Sequence, residues 1–192
     1  HRTLIVRRMT GLEDAVSCSS VHPLLAENGW HFDGSDPQFP PPDPLYGSSH
    51  LREFYLRTDP KVDGRVTVPI LWDRAEERIV NNESSEIIRM FSTTFKPLGA
   101  PQIELYPESL RTEIDKAMET IYQPINNGVY RCGFARTFGA YTQALTELFD
   151  ALSHWNAVLQ QQPYVCGTTP TLADVALFTT LVRFDSVYYV HF

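Results

Sequence analysis

Two stretches of this sequence carry groups whose type and spacing can do chemistry. The first is Val66-Thr67-Val68-Pro69-Ile70-Leu71-Trp72, a β-rich run with a proline inside it. Proline removes a ladder donor and is rare within a strand. Two readings resolve the conflict. A cis Val68-Pro69 bond can bend the chain at a strand entrance and leave the Val68 backbone open to an extended, peptide-like ligand. Alternatively, Pro69 sits on an edge strand. The second stretch is Asn81-Asn82-Glu83-Ser84-Ser85-Glu86, which opens a helix after a short strand. It gathers backbone N–H groups, a hydroxyl and the positive end of a helix dipole, a setting that suits a carboxylate. Glu83 can accept from an α-amino group, so the pair matches both ends of an amino-acid head. An ordinary N-cap with a flanking acid has the same pattern.

Nucleophiles are sparser. Cys18, Cys132 and Cys166 lie far apart, form no C-x-x-C pair and leave one over. Neither a disulfide framework nor a metal site is indicated, and each is expected to be a small buried residue. Cys18 lies in an expected strand, and Cys132 has no helix N-terminus or basic partner in view, so nothing activates either thiol. The net charge is −7 and the basic residues are scattered among acidic ones. That argues against a nucleic-acid partner. No stretch approaches the roughly 20 apolar residues that span a bilayer. His1-Arg2-Thr3-Leu4-Ile5-Val6-Arg7-Arg8 lacks a signal-peptide layout. A cytoplasmic protein with no membrane partner is expected, an upstream organelle-targeting segment staying open.

The elements that position these groups change character along the chain. Arg2 to Leu12 reads as a helix stopping at Gly11, and Ala15 to Val21 as a strand ending before Pro23. Glu27 to Ser48, with Pro40-Pro41-Pro42 in its middle, reads as a long surface excursion. Leu51 to Leu56 suggests a short helix, Val66 to Trp72 and Arg78 to Val80 neighbouring strands, and Ser84 or Ser85 the cap of a helix through Phe91. After the loop from Pro97 to Pro107 only amphipathic helices follow: Ser109 to Ile121, Tyr141 to Gln160 and Thr171 to Val187. Thr171-Leu172-Ala173-Asp174 has capping-box spacing. The expected fold class is therefore α/β plus all-α, with residues 1–96 as a layered domain and 105–192 as a helical one.

The order V-P-I-L-W-D followed by I-V-N-N-E-S-S-E-I-I-R-M resembles the xi-class glutathione transferases, the glutathionyl-hydroquinone reductases. Asn126-Asn127-Gly128-Val129-Tyr130, Leu172-Ala173-Asp174 and Leu181 to Tyr189 resemble further segments of that family in the same order, across essentially the whole chain. The resemblance implies a thioredoxin-like first domain, an all-helical second one and glutathione, as co-substrate, between them. It implies that Val68 pairs with the cysteinyl backbone of glutathione next to Pro69, and that Glu83 and Ser84 hold the γ-glutamyl end. Trp30 and Arg52 are further glutathione candidates, either of which can instead be a loop anchor or a solvated charge. Tyr130, Tyr188 and Tyr189 match tyrosines lining the family's electrophilic site, where phenols can hydrogen-bond hydroquinone oxygens. Arg183 and Asp185 are expected to be structural.

In that family the segment matching His1-Arg2-Thr3-Leu4 follows a Cys-Pro-Trp-Ala stretch at the first helix, which has no counterpart in this chain. The resemblance thus places the catalytic cysteine, and the first strand of the sheet, upstream of His1, and further helical sequence after Phe192. An isolated piece is expected to be unstable. The expected activity is removal of glutathione from glutathionyl-hydroquinones by thiol–disulfide chemistry, with quinone-derived small molecules as partners and a homodimer allowed. The other readings are a Tyr- or Ser-dependent conjugating transferase, for which no hydroxyl is evident at the first helix, and a non-catalytic glutathione transferase-like binding or scaffold module.

Overall fold

The computed structural model describes residues 1–32, 34, 43–101 and 103–191. The chain divides into two compact units, Glu13–Ile87 and His1–Leu12 together with Ile88–Phe192.

In Glu13–Ile87 the elements are α2 (Arg52–Thr58), β1 (Leu71–Asp73), β2 (Arg78–Asn81) and the start of α3 (Ser84–Ser92). β1 and β2 pair antiparallel, Trp72 opposite Ile79 and Asp73 opposite Arg78, with a bulge between Leu71 and Trp72. Asp73 sets the hairpin turn by accepting from the N–H groups of Ala75 (2.8 Å) and Glu76 (3.0 Å). Those backbone bonds also hold its carboxyl below the usual carboxylate range. The core is Leu51, Phe54 and Tyr55, with Val21, Trp30, Phe32, Ile70, Trp72 and Ile79 packed around them. Aromatic edges dominate the packing; the Phe54 and Trp72 rings meet at 87° with centroids 4.9 Å apart.

Two strand expectations change here. The strand expected from Ala15 to Val21 does not form among the described residues. Ser17, Ser19 and Ser20 are exposed, which leaves Val16 and Val21 too few apolar side chains to build a buried face. Cys18 is consequently exposed rather than buried, its thiol near the Ser19 carbonyl oxygen (3.6 Å). The run at Val66 begins its ladder only at Leu71, so Pro69 precedes the strand instead of interrupting it. The excursion from Glu27 holds an isolated bridge between His31 and His50 and a turn around the buried Asp43, which accepts from Leu45 and Tyr46 N–H groups (both 3.0 Å). Its Pro40-Pro41-Pro42 centre lies outside the described residues.

The other unit is helical: α1 (Arg2–Met9), most of α3, α4 (Arg111–Ile121), α5 (Gly128–Gly133), α6 (Phe138–Leu159), α7 (Leu172–Leu181) and α8 (Tyr189–His191). α5 packs on α6, and α7 takes α1 and α4 against it. Val6, Ile88, Ile114, Ile121, Ile125, Val129 and Leu172 are fully buried there. α1 is followed by a turn at Gly11, whose φ of +65° and approach to Ala100 leave no room for a Cβ, which would fall 2.8 Å from the Ala100 N and O atoms. α7 starts on the expected capping box: Asp174 Oδ2 accepts from Thr171 N–H (2.7 Å) and Oγ1 (2.8 Å).

Two π turns were not visible in the periodicity. Tyr122–Asn126 separates α4 from α5, and Phe184–Tyr188 ends the expected helix from Thr171 early. Asn126 holds the first against α7, its buried Nδ2 donating to the Ala176 carbonyl (2.9 Å) and Thr180 Oγ1 (2.8 Å).

Candidate functional site

The Tyr55 hydroxyl lies at the centre of a polar corner within Glu13–Ile87. Its side chain is only 8% exposed, carried inward on the apolar face of α2. The hydroxyl donates to the Thr67 carbonyl (3.0 Å) and accepts from Asn82 Nδ2 (3.1 Å) and Thr67 N–H (3.3 Å). Asn82 Nδ2 also reaches Thr67 Oγ1 (3.3 Å). One phenol thus ties the chain entering β1 to the chain leaving β2. The next residues on the two sides are Val68 and Glu83. The Val68-Pro69 peptide is cis and Val68 is 43% exposed, so Pro69 marks a cis bend at the strand entrance and not an edge-strand position.

α3 is capped by Glu83. Its carbonyl oxygen accepts from Ile87 N–H (3.0 Å), and its carboxylate accepts from Ser85 N–H (3.1 Å), Ser85 Oγ (3.2 Å) and Ser84 Oγ (3.4 Å). Asn81 Oδ1 takes the Glu83 N–H at 2.7 Å. The cap is therefore Glu83, not Ser84 or Ser85, because both serines already lie within the helix and only the residue before it can fold back on its free donors. Chemically, the corner binds a carboxylate at a helix N-terminus, and the carboxylate it holds here is its own.

The other glutathione candidates in this unit are tied into the fold. Trp30 follows Gly29, whose φ is +90°; its carbonyl takes the Leu51 N–H (2.9 Å) and its ring packs on the aromatic core. Arg52 donates from Nη2 to the Val62 carbonyl (3.0 Å).

Among the helices, the structure brings two of the three named tyrosines together. The Tyr130 and Tyr188 hydroxyls are 3.2 Å apart and their rings meet edge to face, centroids 5.5 Å apart at 77°. Tyr188 is 4% exposed, Tyr130 40%. Burial first, and then the bond to Tyr130, push the Tyr188 phenol up to about 12. Tyr188 is therefore a neutral donor or acceptor throughout the physiological range. Phe134 stacks on Tyr130 with centroids 6.3 Å apart, while Tyr189 opens α8 in solvent, 70% exposed and outside the pair.

Neither buried thiol is prepared to attack. Burial raises the Cys132 and Cys166 thiols above their ordinary value, Cys166 despite a hydrogen bond with Thr171 that lowers it. Among the described residues no group of three His, Cys, Asp or Glu side chains is placed to hold a metal ion, and no helix is long and apolar enough to cross a membrane.

Residues 1–94 match the family model for the glutathione S-transferase N-terminal domain, and residues 138–192 that for its C-terminal domain. The crystal structure of the Xi glutathione transferase ECM4 from Saccharomyces cerevisiae in complex with glutathione superposes with a TM-score of 0.91 at 32% identity, over 100% of this chain and 70% of that one. The chain belongs to the glutathione S-transferase family. The Xi class transferase from Natrialba magadii has a TM-score of 0.96 and 50% identity over 100% of this chain and 58% of its own. Glutathionyl-hydroquinone reductase YqjG of Escherichia coli (strain K12) is 50% identical over 192 residues, 100% of this chain. The chain spans 58% of that relative's length. The fold class is as the resemblance implied, a thioredoxin-like N-terminal region followed by an all-helical one. In this glutathione transferase chain the described sheet is the β1 and β2 hairpin.

Sequence reading missed Tyr55. It is 27 positions from Asn82, beyond any local motif, and looked like one more aromatic on a core-facing helix. The only signal was Asn82 itself, a second amide in a corner where one suffices for a turn.

Proposed function

We propose that the longer protein carrying this chain is a glutathione-dependent reductase that removes glutathione from glutathionyl-hydroquinones. The observation that carries this reading is the 50% identity, over all 192 residues, to an E. coli protein of that activity. The glutathione-binding domain is assigned to residues 1–96 and the helical domain to 105–192.

In this reading Val68 meets the cysteinyl backbone of the glutathionyl group. The γ-glutamyl carboxylate takes over the Ser84 hydroxyl and Ser85 N–H that Glu83 occupies here, and Glu83 turns to the α-ammonium. The Ser84 hydroxyl and Ser85 N–H pass from one carboxylate to the other, and the Ser85 hydroxyl, also released by Glu83, turns with them or to solvent. Trp30 and Arg52 border this group, and Tyr130, Tyr188 and Tyr189 line the space for the hydroquinone ring, the exposed Tyr130 phenol meeting its oxygens.

The attacking thiolate is assigned to a cysteine preceding His1. It attacks the glutathionyl sulfur, an S–S bond forms, and the carbon–sulfur bond breaks with its electron pair going to the ring carbon, which takes a proton to give the hydroquinone. The thiolate of a second glutathione then attacks the mixed disulfide, releasing oxidised glutathione and the enzyme thiolate. Supplying the longer protein with a glutathionyl-hydroquinone and glutathione should yield hydroquinone and oxidised glutathione in equal amounts. Turnover that survives replacement of that cysteine by serine would refute the mechanism.

A further inference from the structure

Arg183 stands where the chain changes its helical pitch, between α7 and the tyrosine that ends the second π turn. Its carbonyl accepts from both Val187 N–H (2.9 Å) and Tyr188 N–H (3.4 Å), the second closing an i→i+5 ring. In a regular α-helix, residues five apart point about 140° away from one another. The wider turn brings residues five apart nearer to one face. Here it sets the Arg183 guanidinium over the Tyr188 ring, Cζ to centroid 5.6 Å, within the range of a cation–π contact.

The guanidinium is held from other directions as well. Nε donates to the Thr179 carbonyl (2.8 Å) at the C-terminal end of α7, where a cation is favoured by the helix dipole. Nη1 lies 3.0 Å from His1 Nδ1. Arg2 donates to the Oγ1 of the same Thr179 (3.4 Å). A planar, multiply anchored fork on one face of a phenol restricts its ring rotation more than a flexible ammonium does. The other edge of Tyr188 meets Tyr130, whose hydroxyl is 3.2 Å from its own.

We propose that Arg183 is a positioning residue for the tyrosine pair: it clamps Tyr188 so that the Tyr188 hydroxyl is committed to Tyr130, and Tyr130, the exposed partner, is the phenol that meets a ligand oxygen. The role of that ligand as a hydroquinone rests on the proposed function, whereas the clamp does not. Arg183 touches neither substrate nor reacting atoms, so its effect is transmitted through Tyr188.

The experiment compares Arg183→Gln and Arg183→Lys in the longer protein, with two readouts. The first is the 13Cζ resonance of Tyr188, assigned by its loss in Tyr188→Phe, which reports the hydroxyl's hydrogen bonding. The second is the KM for a glutathionyl-hydroquinone beside the KM for glutathione. Arg183→Gln should shift the Tyr188 resonance and raise the KM for the conjugate roughly two- to five-fold with glutathione KM unchanged. Arg183→Lys, which keeps the charge and loses the fork, should recover part of both. A Tyr188 resonance unmoved in folded Arg183→Gln or Arg183→Lys protein overturns the clamp, whatever happens to thermal stability. If the parent protein turns over no conjugate, the functional reading fails, and the resonance still decides the clamp.

Discussion

The polar corner around Tyr55 and the tyrosine pair at Tyr130 and Tyr188 are both built on a buried phenol hydroxyl, yet they use it in opposite ways. Tyr55 spends its hydroxyl on the backbone, binding the Thr67 carbonyl and N–H and the Asn82 amide, so that neighbouring residues Val68 and Glu83 are presented. Tyr188 gives its hydroxyl to another phenol, and the group presented is a side chain, Tyr130. The first arrangement suits a ligand with a peptide backbone and charged ends. The second suits a neutral ring bearing oxygens. The difference lies in what the surrounding elements leave unsatisfied: a strand entrance and a helix start expose main-chain groups, whereas helices that satisfy their own backbone expose only side chains.

Removing a support from one region should leave the other intact. Asn126→Ala deletes the buried amide that joins the first π turn to α7, stranding Thr180 Oγ1. It should cost about 2 kcal/mol or more of stability in chemical denaturation. Because that turn leads directly into the helix carrying Tyr130, substrate KM should rise while glutathione affinity measured by calorimetry stays constant. Tyr55→Phe is the converse. It keeps the ring in the core and loses the bonds to Thr67 and Asn82, costing about 1 to 2 kcal/mol, and it should weaken glutathione several-fold.

A smaller effect is expected in the titration of the pair. With its ionisation raised to about 12, Tyr188 should remain protonated while an ordinary tyrosine, near 10, has titrated in an absorbance titration at alkaline pH. The folded value lies above the unfolded one. The stability this group contributes is therefore complete below pH 10 and is lost as pH rises toward about 12. Burial raises the Tyr188 value most and the Tyr130 hydrogen bond adds to that, so Tyr130→Phe should move the Tyr188 titration part of the way down toward the ordinary value; no movement would show that burial alone sets it.

The two regions were also unequally legible in the sequence. Pro69 in a β-rich run and the Asn81 to Glu86 corner carry their geometry in adjacent residues, so a reader of local pattern could find Val68, Glu83 and Ser84. The same reading put the cap on a serine, because it could not see that helical geometry begins at Ser84 and leaves Glu83 as the last residue able to fold back. Tyr130 and Tyr188 were named from family resemblance. Their meeting, 58 positions apart, depends on two π turns that no 3.6-residue period encodes. Arg183 was read as structural, and regular helical spacing gives no sign of its contact with Tyr188. The absent strand before Val21 shows the complementary failure: β-branched residues without a buried face do not make a ladder.

In the proposed function the corner holds glutathione and the tyrosine pair does not. Calorimetric titration of glutathione into Glu83→Ala and Tyr130→Phe forms of the longer protein tests it directly. Glu83→Ala should weaken binding about tenfold, the loss of one charge-assisted contact, and Tyr130→Phe should leave it unchanged. Unaltered affinity in Glu83→Ala, or an equal loss in both, would contradict it.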